Sequence, residues 1–313
     1  MYAKYFVLFA ILLTGWFLKK IDFIDDKMNH SINKLIVYFA YPCLIVHNIG
    51  SLDMNGKIIS EFLITFVISL LCFYIYGFIC LGYGKARKFP PEVSNTAEFA
   101  MSTPNNGFMG FPVSLIFFGE TGLLLMIAHN AAMNFYIFTY GMGLMNRNKE
   151  EKKKLGFKEV LKAILKFLLN PNILALFIGF ILSIFGGIIP DAVDEYLLYI
   201  GNISTPMAMI FIGSNLAGYK FFEIIKDTLV IEAGLMKLIW LPLITLGLVY
   251  FLPVDGIIKS IVVLGISFPT AATVSMLAEQ EHQNTGVASK ILLLSTAVSI
   301  VTVPGVINLL SII

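Results

Sequence analysis

Residues 99–112 read FAMSTPNNGFMGFP, a run that a continuous helix would not favour. Pro104 removes a backbone amide donor and clashes with the carbonyl one turn earlier, and the Asn-Asn-Gly that follows favours non-helical backbone. Residues 265–272 read GISFPTAA and place a second proline, Pro269, in another apolar segment. The sequence therefore predicts two broken helices, one at Pro104 and one at Pro269.

The composition around these breaks indicates a membrane protein. Of the 313 residues, 58% are hydrophobic and 13% are charged, with a mean hydropathy of +0.83, whereas about 25% of residues in a typical soluble domain are charged. A membrane-spanning helix needs about 20 mostly apolar residues, so the chain has room for about ten spans. We expect an all-α transmembrane fold in one transporter domain, residues 1–313, with helices at residues 2–18, 32–49, 59–82, 97–118, 122–145, 171–188, 197–218, 228–252, 257–278 and 287–312.

Matched proline spacings indicate an internal repeat. Pro42 and Pro104 are 62 residues apart, and Pro206 and Pro269 are 63 residues apart. Each copy holds five predicted helices, an odd number, so the second copy would enter the membrane from the opposite side, as in many secondary transporters. Prolines are common in membrane helices, so coincidence is the alternative. We predict two inverted five-helix repeats whose fourth and ninth helices are broken and cross.

A hydrophilic segment at residues 146–170 separates the two copies, residues 1–145 and 171–313. It is expected to be a cytoplasmic connector with a surface-lying amphipathic turn. Most of the 22 basic residues fall in loops on the side of this connector. Because cytoplasmic loops carry the excess of Lys and Arg, we expect a multi-pass protein of the plasma membrane, the inner membrane of a bacterium, with both termini outside.

The two breaks also predict where a substrate binds. Unwound backbone survives in a bilayer only where it is buried in protein or lines a cavity. The half-helices that begin after each break present free amides and a partial positive charge, which suits a carboxylate. We therefore predict a site for a small organic anion at Pro104, Asn105, Asn106, Pro269 and Thr270, with simple proline kinks as the alternative.

Other polar residues fall inside predicted spans. Asn130 and Asn134 are four residues apart and share a helix face beside His129, which favours a cavity lining; hydrogen bonding between helices is the alternative. Glu98 is either a protonatable coupling carboxylate or a residue at the cytoplasmic rim. Lys237 either neutralises an anion or extends toward the cytoplasmic face. Glu98, His129 and Lys237 are thus the candidates for coupling or charge neutralisation.

Four motifs carry a family resemblance, namely STPNNGFMGFP at 102–112, FGE at 118–120, NPN at 170–172, and an ending from LST at 294–296 to Pro304. Together they resemble the auxin efflux carrier family in its short prokaryotic form. The resemblance covers nearly the whole chain. It implies a fold like that of sodium/proton antiporters and bile-acid symporters, elevator-type alternating access and a homodimer.

The same resemblance implies anionic substrates, auxin in plants and malate or similar carboxylates in bacteria. The family's asparagine beside the crossover proline corresponds to Asn105. The chain lacks the long central loop of the plant members, so auxin itself is not the expected substrate.

The leading hypothesis is a secondary transporter for a mono- or dicarboxylate, and the alternative is a sodium- or proton-coupled cation antiporter or symporter of the same fold. The alternative would favour acidic residues at the crossover, where this chain has Asn and Thr. An intramembrane enzyme would need a nucleophile or metal-ligand constellation, and we predict neither catalytic residues nor a metal site. We expect no cofactor beyond a coupling H⁺ or Na⁺. A net charge of +2 without a basic stripe excludes a nucleic-acid partner. The expected partners are the anion and the lipid bilayer, and the family resemblance implies a second copy of the chain.

Overall fold

The computed structural model describes residues 2–52, 55–145, 147, 165, 168–184, 189–218, 224 and 226–310. Most of the predicted connector at 146–170 lies outside these residues. Within them the regular secondary structure is helical, as predicted. The helices are α1 (Tyr2–Lys20), α2 (Asp26–Gly50), α3 (Gly56–Ala86), α4 (Pro91–Ser102), α5 (Asn106–Met145), α6 (Pro171–Ile184), α7 (Asp191–Ala217), α8 (Thr228–Tyr250), α9 (Gly256–Ser267), α10 (Ala272–Gln280) and α11 (Thr285–Leu309).

Several of these helices have the length and composition of membrane spans. In the described part of the chain, α2, α3, α5, α7, α8 and α11 are long and apolar enough to cross a bilayer. The helices α6 and α9 are shorter and also apolar. These properties confirm a multi-pass helical membrane protein.

Both predicted breaks are present. The first separates α4, which ends at Ser102, from α5, which begins at Asn106; the second separates α9, which ends at Ser267, from α10, which begins at Ala272. Pro104 and Pro269 lie inside the two breaks. The proline argument therefore located the interruptions correctly.

Three helices begin about two turns earlier than predicted. The structure starts α2 at Asp26, α4 at Pro91 and α7 at Asp191, whereas the apolar runs indicated residues 32, 97 and 197. Their first turns are polar, which hides them from a reading of apolar runs. In α2 the carboxylate of Asp25 accepts the Met28 N–H at 2.6 Å and so caps the polar start.

The predicted gap between helices four and five at residues 119–121 coincides with an interruption inside α5. Gly119, with φ 67° and ψ −160°, is not helical, and two helices meet there at a kink. Only glycine adopts this conformation without strain, so Gly119 allows one helix to end and the next to begin within a very short connection.

The helices group into two compact units. The first unit contains α1, α2, α6 and α7 together with residues 56–62 and 111–124. The second unit contains residues 63–110, α5 from residue 125 onward, and α8 to α11. Both breaks therefore belong to the second unit.

The first unit is built on close helix packing. A Cβ on Gly15 of α1 would lie 2.2 Å from the carbonyl oxygen of Ile210, and a Cβ on Gly213 of α7 would lie 1.9 Å from that of Leu12. Only glycine permits this approach of two backbones. In the same unit the Nδ1 of His47 lies 2.7 Å from the Oδ1 of Asp194.

Candidate functional site

Two main-chain hydrogen bonds join the breaks of the second unit. The Asn105 N–H donates to the carbonyl of Pro269 at 2.7 Å, and the Ala271 N–H donates to the carbonyl of Thr103 at 3.0 Å. Together they form an isolated antiparallel bridge between Pro104 and Thr270. The unwound backbone is buried and satisfies its own polar groups across the bridge, which is the condition for its survival in a membrane.

Thr270 fixes this crossover to two neighbouring helices. Its Oγ1 donates to the carbonyl of Ala100 in α4 at 3.0 Å, and its N–H donates to the Oγ of Ser295 in α11 at 3.0 Å. The residue is fully buried. Thr270 was predicted as part of the anion site, but its hydroxyl proton is bonded to the protein. Only the lone pairs of its oxygen remain available to a ligand.

Ser295 was missed by the sequence argument and yields a first prediction. We expect Ser295→Ala to leave the Thr270 N–H without its acceptor in a buried site, at a cost of about 1–3 kcal/mol. The midpoint of thermal unfolding in detergent should fall by several degrees. Ser289→Ala is the matched control, because the Oγ of Ser289 meets only the Oγ of Ser275, at 3.4 Å. Equal midpoints for the two variants would contradict the assigned role of Ser295.

The two asparagines after Pro104 have different partners. The Oδ1 of Asn105 accepts the Phe108 N–H at 3.2 Å and caps the start of α5. The Nδ2 of Asn106 lies 3.5 Å from the Sδ of Met133, a weak acceptor, and its Oδ1 is buried with no partner among the described residues. Buried polar atoms normally have partners, so the Asn106 amide has capacity for a ligand.

The contact with Met133 relates Asn106 to the polar face of α5. Asn130 lies one turn before Met133, and residues three apart share a helix face. Asn130 is 9% exposed, and Asn134, one turn further along, is half-buried. The structure therefore places Asn130 on the side of α5 that Asn106 contacts, and the lining of a cavity by Asn130 and Asn134 stays a prediction.

Glu98 of α4 is fully buried and paired. Arg147 holds its carboxylate through both terminal nitrogens, with Nη1 on Oε2 and Nη2 on Oε1, and Nη2 also donates to the Oγ of Ser94 at 3.2 Å. The sequence argument counted Arg147 only as a loop charge, because 49 residues separate it from Glu98. In this structure Glu98 is a buried, paired carboxylate, and its role as a coupling carboxylate or as a residue at the cytoplasmic rim stays a prediction.

Lys237 lies in a π-helical turn of α8, Met236–Trp240. Its side chain is fully buried, and its Nζ has no hydrogen-bond partner among the residues that the structure describes. The predicted alternative, in which the amine extends to the cytoplasmic surface, does not match this enclosed position.

His129 is also enclosed. Its Nδ1 lies 2.8 Å from the Oγ of Ser69, and its Nε2 has no partner within the described ranges. The imidazole occupies the space over Gly265 of α9, where a Cβ would lie 2.3 Å from the ring. His129 thus packs on the helix that leads into the second break.

An apolar groove elsewhere in the second unit does not suit an anion. It has a volume of about 220 Å³ and lies between α8, α9 and α11. Its lining includes Leu243, Val263 and Val306, with Thr302 as the polar exception. We therefore place the candidate site at the crossover.

Comparisons with known proteins agree with the helical membrane fold. A family model described as “Membrane transport protein” matches residues 1–307. An “Uncharacterized transporter” of Methanothermobacter thermautotrophicus is 25% identical over 296 residues, covering 94% of this chain and 93% of the relative. The “Uncharacterized transporter YfdV” of Escherichia coli K12 is 25% identical over 303 residues, covering 94% and 93%. A “Putative malonate transporter” of Rhizobium meliloti is 26% identical over 299 residues, covering 89% and 86%.

Proposed function

Because the chain belongs to the membrane transport protein family, as its resemblance to the auxin efflux carriers predicted, we propose that it is a secondary transporter of a small organic anion, with malonate as the first candidate. The observation that carries this proposal is the bridge between Pro104 and Thr270. It brings together the starts of α5 and α10, and the partial positive charge at a helix start suits a carboxylate. The substrate class is supported by the name of the Rhizobium meliloti relative.

We propose that Asn105, Asn106 and Asn130 contact the bound anion. Asn106 supports this role through its weakly bonded, buried amide, and the O and N atoms of such an amide can exchange places by a flip. Side-chain amides bind a carboxylate without adding charge to the site. They therefore distinguish one anion from another by the positions of their hydrogen-bond donors. Pro104 and Pro269 form the unwound backbone, and Thr270 fixes it to α4 and α11.

We propose elevator-type alternating access within a ten-helix fold of two inverted repeats. The second unit alone holds both breaks and the bridge, which supports movement of the site as one body. Under the proposed repeat, the first unit takes the first two helices of each copy and residues 111–124, and the second unit takes most of the last three helices of each copy. A homodimer in the plasma membrane with both termini outside completes the proposal, supported by the charge distribution and the family.

The cation alternative and the enzyme alternative have weaker support. The crossover carries Asn and Thr where a cation site would favour carboxylates, and Glu98 is held by Arg147. Within the described ranges, no group of three or more His, Cys, Asp or Glu side chains could hold a metal ion. The family and the matched relatives are transporters.

A thermal-shift measurement in detergent tests the substrate class. We expect malonate to raise the unfolding midpoint, because a ligand at 100 times its Kd stabilises the folded state by about 2.7 kcal/mol, or roughly 5–10 °C. Malonamide, which replaces both carboxylates by neutral amides, is the control and should give no shift. The measurement is repeated in sodium and in potassium buffers. A shift produced by sodium alone would favour the cation alternative.

Exchange in proteoliposomes tests transport itself. Vesicles loaded with unlabelled malonate should take up external labelled malonate when they contain the protein. Uptake equal to that of protein-free vesicles would contradict malonate as a substrate.

A further inference from the structure

We propose that Tyr136 of α5 is a positioning residue that acts through Ser102 at the end of α4. Their contact sets the separation between the first break and the face of α5 that carries Asn130, and thereby the length of dicarboxylate that the site prefers. The inference rests on the proposed function and adds a determinant of its substrate specificity. Tyr136 and Ser102 are both fully buried in the second unit.

The hydrogen bond between Tyr136 and Ser102 has a defined direction. The Tyr136 hydroxyl donates to the Oγ of Ser102 at 2.9 Å, and the Oγ of Ser102 donates to the carbonyl of Phe99 at 3.1 Å. A serine hydroxyl has one proton, so Ser102 can only accept from Tyr136. The Phe99 carbonyl is one of the last four of α4, which have no partner inside the helix. The two bonds therefore tie α5 to the main chain in the last turn of α4.

The end of α4 that Tyr136 holds leads directly into the first break. Ser102 is the last residue of α4, and the carbonyl of the next residue, Thr103, takes part in the bridge. After the break, the Nδ2 of Asn106 lies 3.5 Å from the Sδ of Met133. Met133 comes three residues before Tyr136, so the two are neighbours on α5. The first break is thus held to α5 at both of its ends, and the hydroxyl bond is the stronger contact because a thioether is a weak acceptor.

Aromatic packing on α3 fixes the ring of Tyr136. The ring stacks on Phe73, with centroids 5.8 Å apart and an interplanar angle of 24°, and it meets Tyr74 edge-on at 5.8 Å. Tyr136→Phe would keep these ring contacts and would lose only the hydroxyl. This variant therefore separates the bond to Ser102 from the packing of the ring.

The length of the substrate is the property most sensitive to the separation that this bond sets. Malonate has one methylene group between its carboxylates, and succinate has two. With one carboxylate at the helix starts of the bridge, Asn130 on α5 is the group that meets the other carboxylate. A fitted pocket distinguishes ligands that differ by one methylene by about 10–200-fold. Without the bond, the end of α4 would move relative to α5, and the site would accept both lengths.

The test measures exchange of labelled malonate in proteoliposomes, with unlabelled malonate or succinate as the competitor. We expect wild-type protein to prefer malonate by about tenfold or more. In Tyr136→Phe this preference should largely disappear. The variant should also raise KM about fivefold, because roughly the free energy of one hydrogen bond is then needed to bring the break into place. A merely structural role would lower the amount of folded protein and leave KM and the preference unchanged.

Tyr76→Phe is the matched control. Tyr76 is also fully buried in the second unit, and its hydroxyl bonds at 2.6 Å to the Oγ1 of Thr245, which donates to the carbonyl of Leu241 at 2.6 Å. This bond joins α3 to α8 and lies outside both breaks. Tyr76→Phe should therefore lower the unfolding midpoint about as much as Tyr136→Phe does, and its KM and preference should equal those of the wild type.

A double-mutant cycle tests whether Tyr136 acts through Ser102. Ser102→Ala removes the acceptor of the Tyr136 hydroxyl and should weaken the preference for malonate in the same way. It also gives a second reading if Tyr136→Phe folds poorly. The variant with both changes should have the same preference as either single variant, because effects that pass through one shared bond are not additive.

Each contrary result has a distinct meaning. An unchanged preference in Tyr136→Phe and Ser102→Ala would overturn the positioning role, and additive effects of the two changes would overturn action through Ser102. Equal exchange of malonate and succinate by the wild type would overturn selection by length and leave the proposed function intact. Absence of malonate exchange by the wild type would overturn the inference and malonate transport together.

Discussion

Replacement of Asn105 by aspartate is expected to abolish malonate transport while the protein stays folded. Asn105 caps α5 through its Oδ1, which accepts the Phe108 N–H, and an aspartate oxygen serves this purpose equally well at a helix N-terminus. The new negative charge would repel a carboxylate about 4 Å away by roughly 4 kcal/mol at an effective dielectric constant of about 20. That energy corresponds to a loss of about 1000-fold in affinity.

The measurement is exchange of labelled malonate, with the unfolding midpoint recorded for the same samples. Asn284→Asp is the matched control, because Asn284 caps α11 in the same way by accepting the Val287 N–H at 3.0 Å. Asn105→Ala, which removes the amide without adding charge, should also lose transport and should lower the midpoint slightly through the lost cap. Full transport by Asn105→Asp would remove Asn105 from the anion site.

The largest expected effect on stability comes from Gly213→Ala. Its Cβ would lie 1.9 Å from the carbonyl oxygen of Leu12 and 2.9 Å from the backbone nitrogen of Trp16. These are backbone atoms, so no side-chain rotation relieves the overlap, and α1 would have to move away from α7. Overpacking costs about 1–3 kcal/mol and occasionally more. Because the clash is with backbone, we expect a cost at the upper end and a fall of the midpoint by roughly 6–12 °C.

The control is Gly82→Ala in α3, where no atom of the described residues outside the neighbouring backbone of the same helix lies within 4 Å of the added Cβ. Alanine is favoured over glycine inside a helix by about 1 kcal/mol, so this variant should be as stable as the wild type or slightly more so. Gly15→Ala should resemble Gly213→Ala, because it meets the same pair of helices from the other side. An unchanged midpoint for Gly213→Ala would contradict the packing of the first unit.

The sequence predicted the breaks because proline acts locally. Pro104 and Pro269 each remove an amide donor whatever surrounds them, so the interruptions of the two helices followed from the residues alone. The bridge did not follow in the same way, because the bond between Asn105 and Pro269 joins residues far apart in the chain. The proline spacings predicted that the two breaks are equivalent positions of a repeat, and the structure shows which atoms of the breaks are bonded to each other.

Buried polar residues were harder to interpret from the sequence. Ser94, Asn95 and Thr96 lowered the apparent hydropathy of α4 and shifted its predicted start, yet all three are buried in protein. A hydropathy pattern measures affinity for lipid and cannot detect polar groups that face other helices. The pairing of Glu98 with Arg147 was not predicted, because helix periodicity relates residues three or four apart. It carries no information about residues 49 apart.

The main-chain bridge at the crossover also has a consequence for engineering. Its two hydrogen bonds come from backbone atoms, so the frame does not depend on the amide side chains beside it. Substitutions at Asn106 and Asn130 would therefore vary the chemistry presented to a solute while the scaffold stays constant. A combinatorial library at these two positions offers a route to carriers with new cargo preferences.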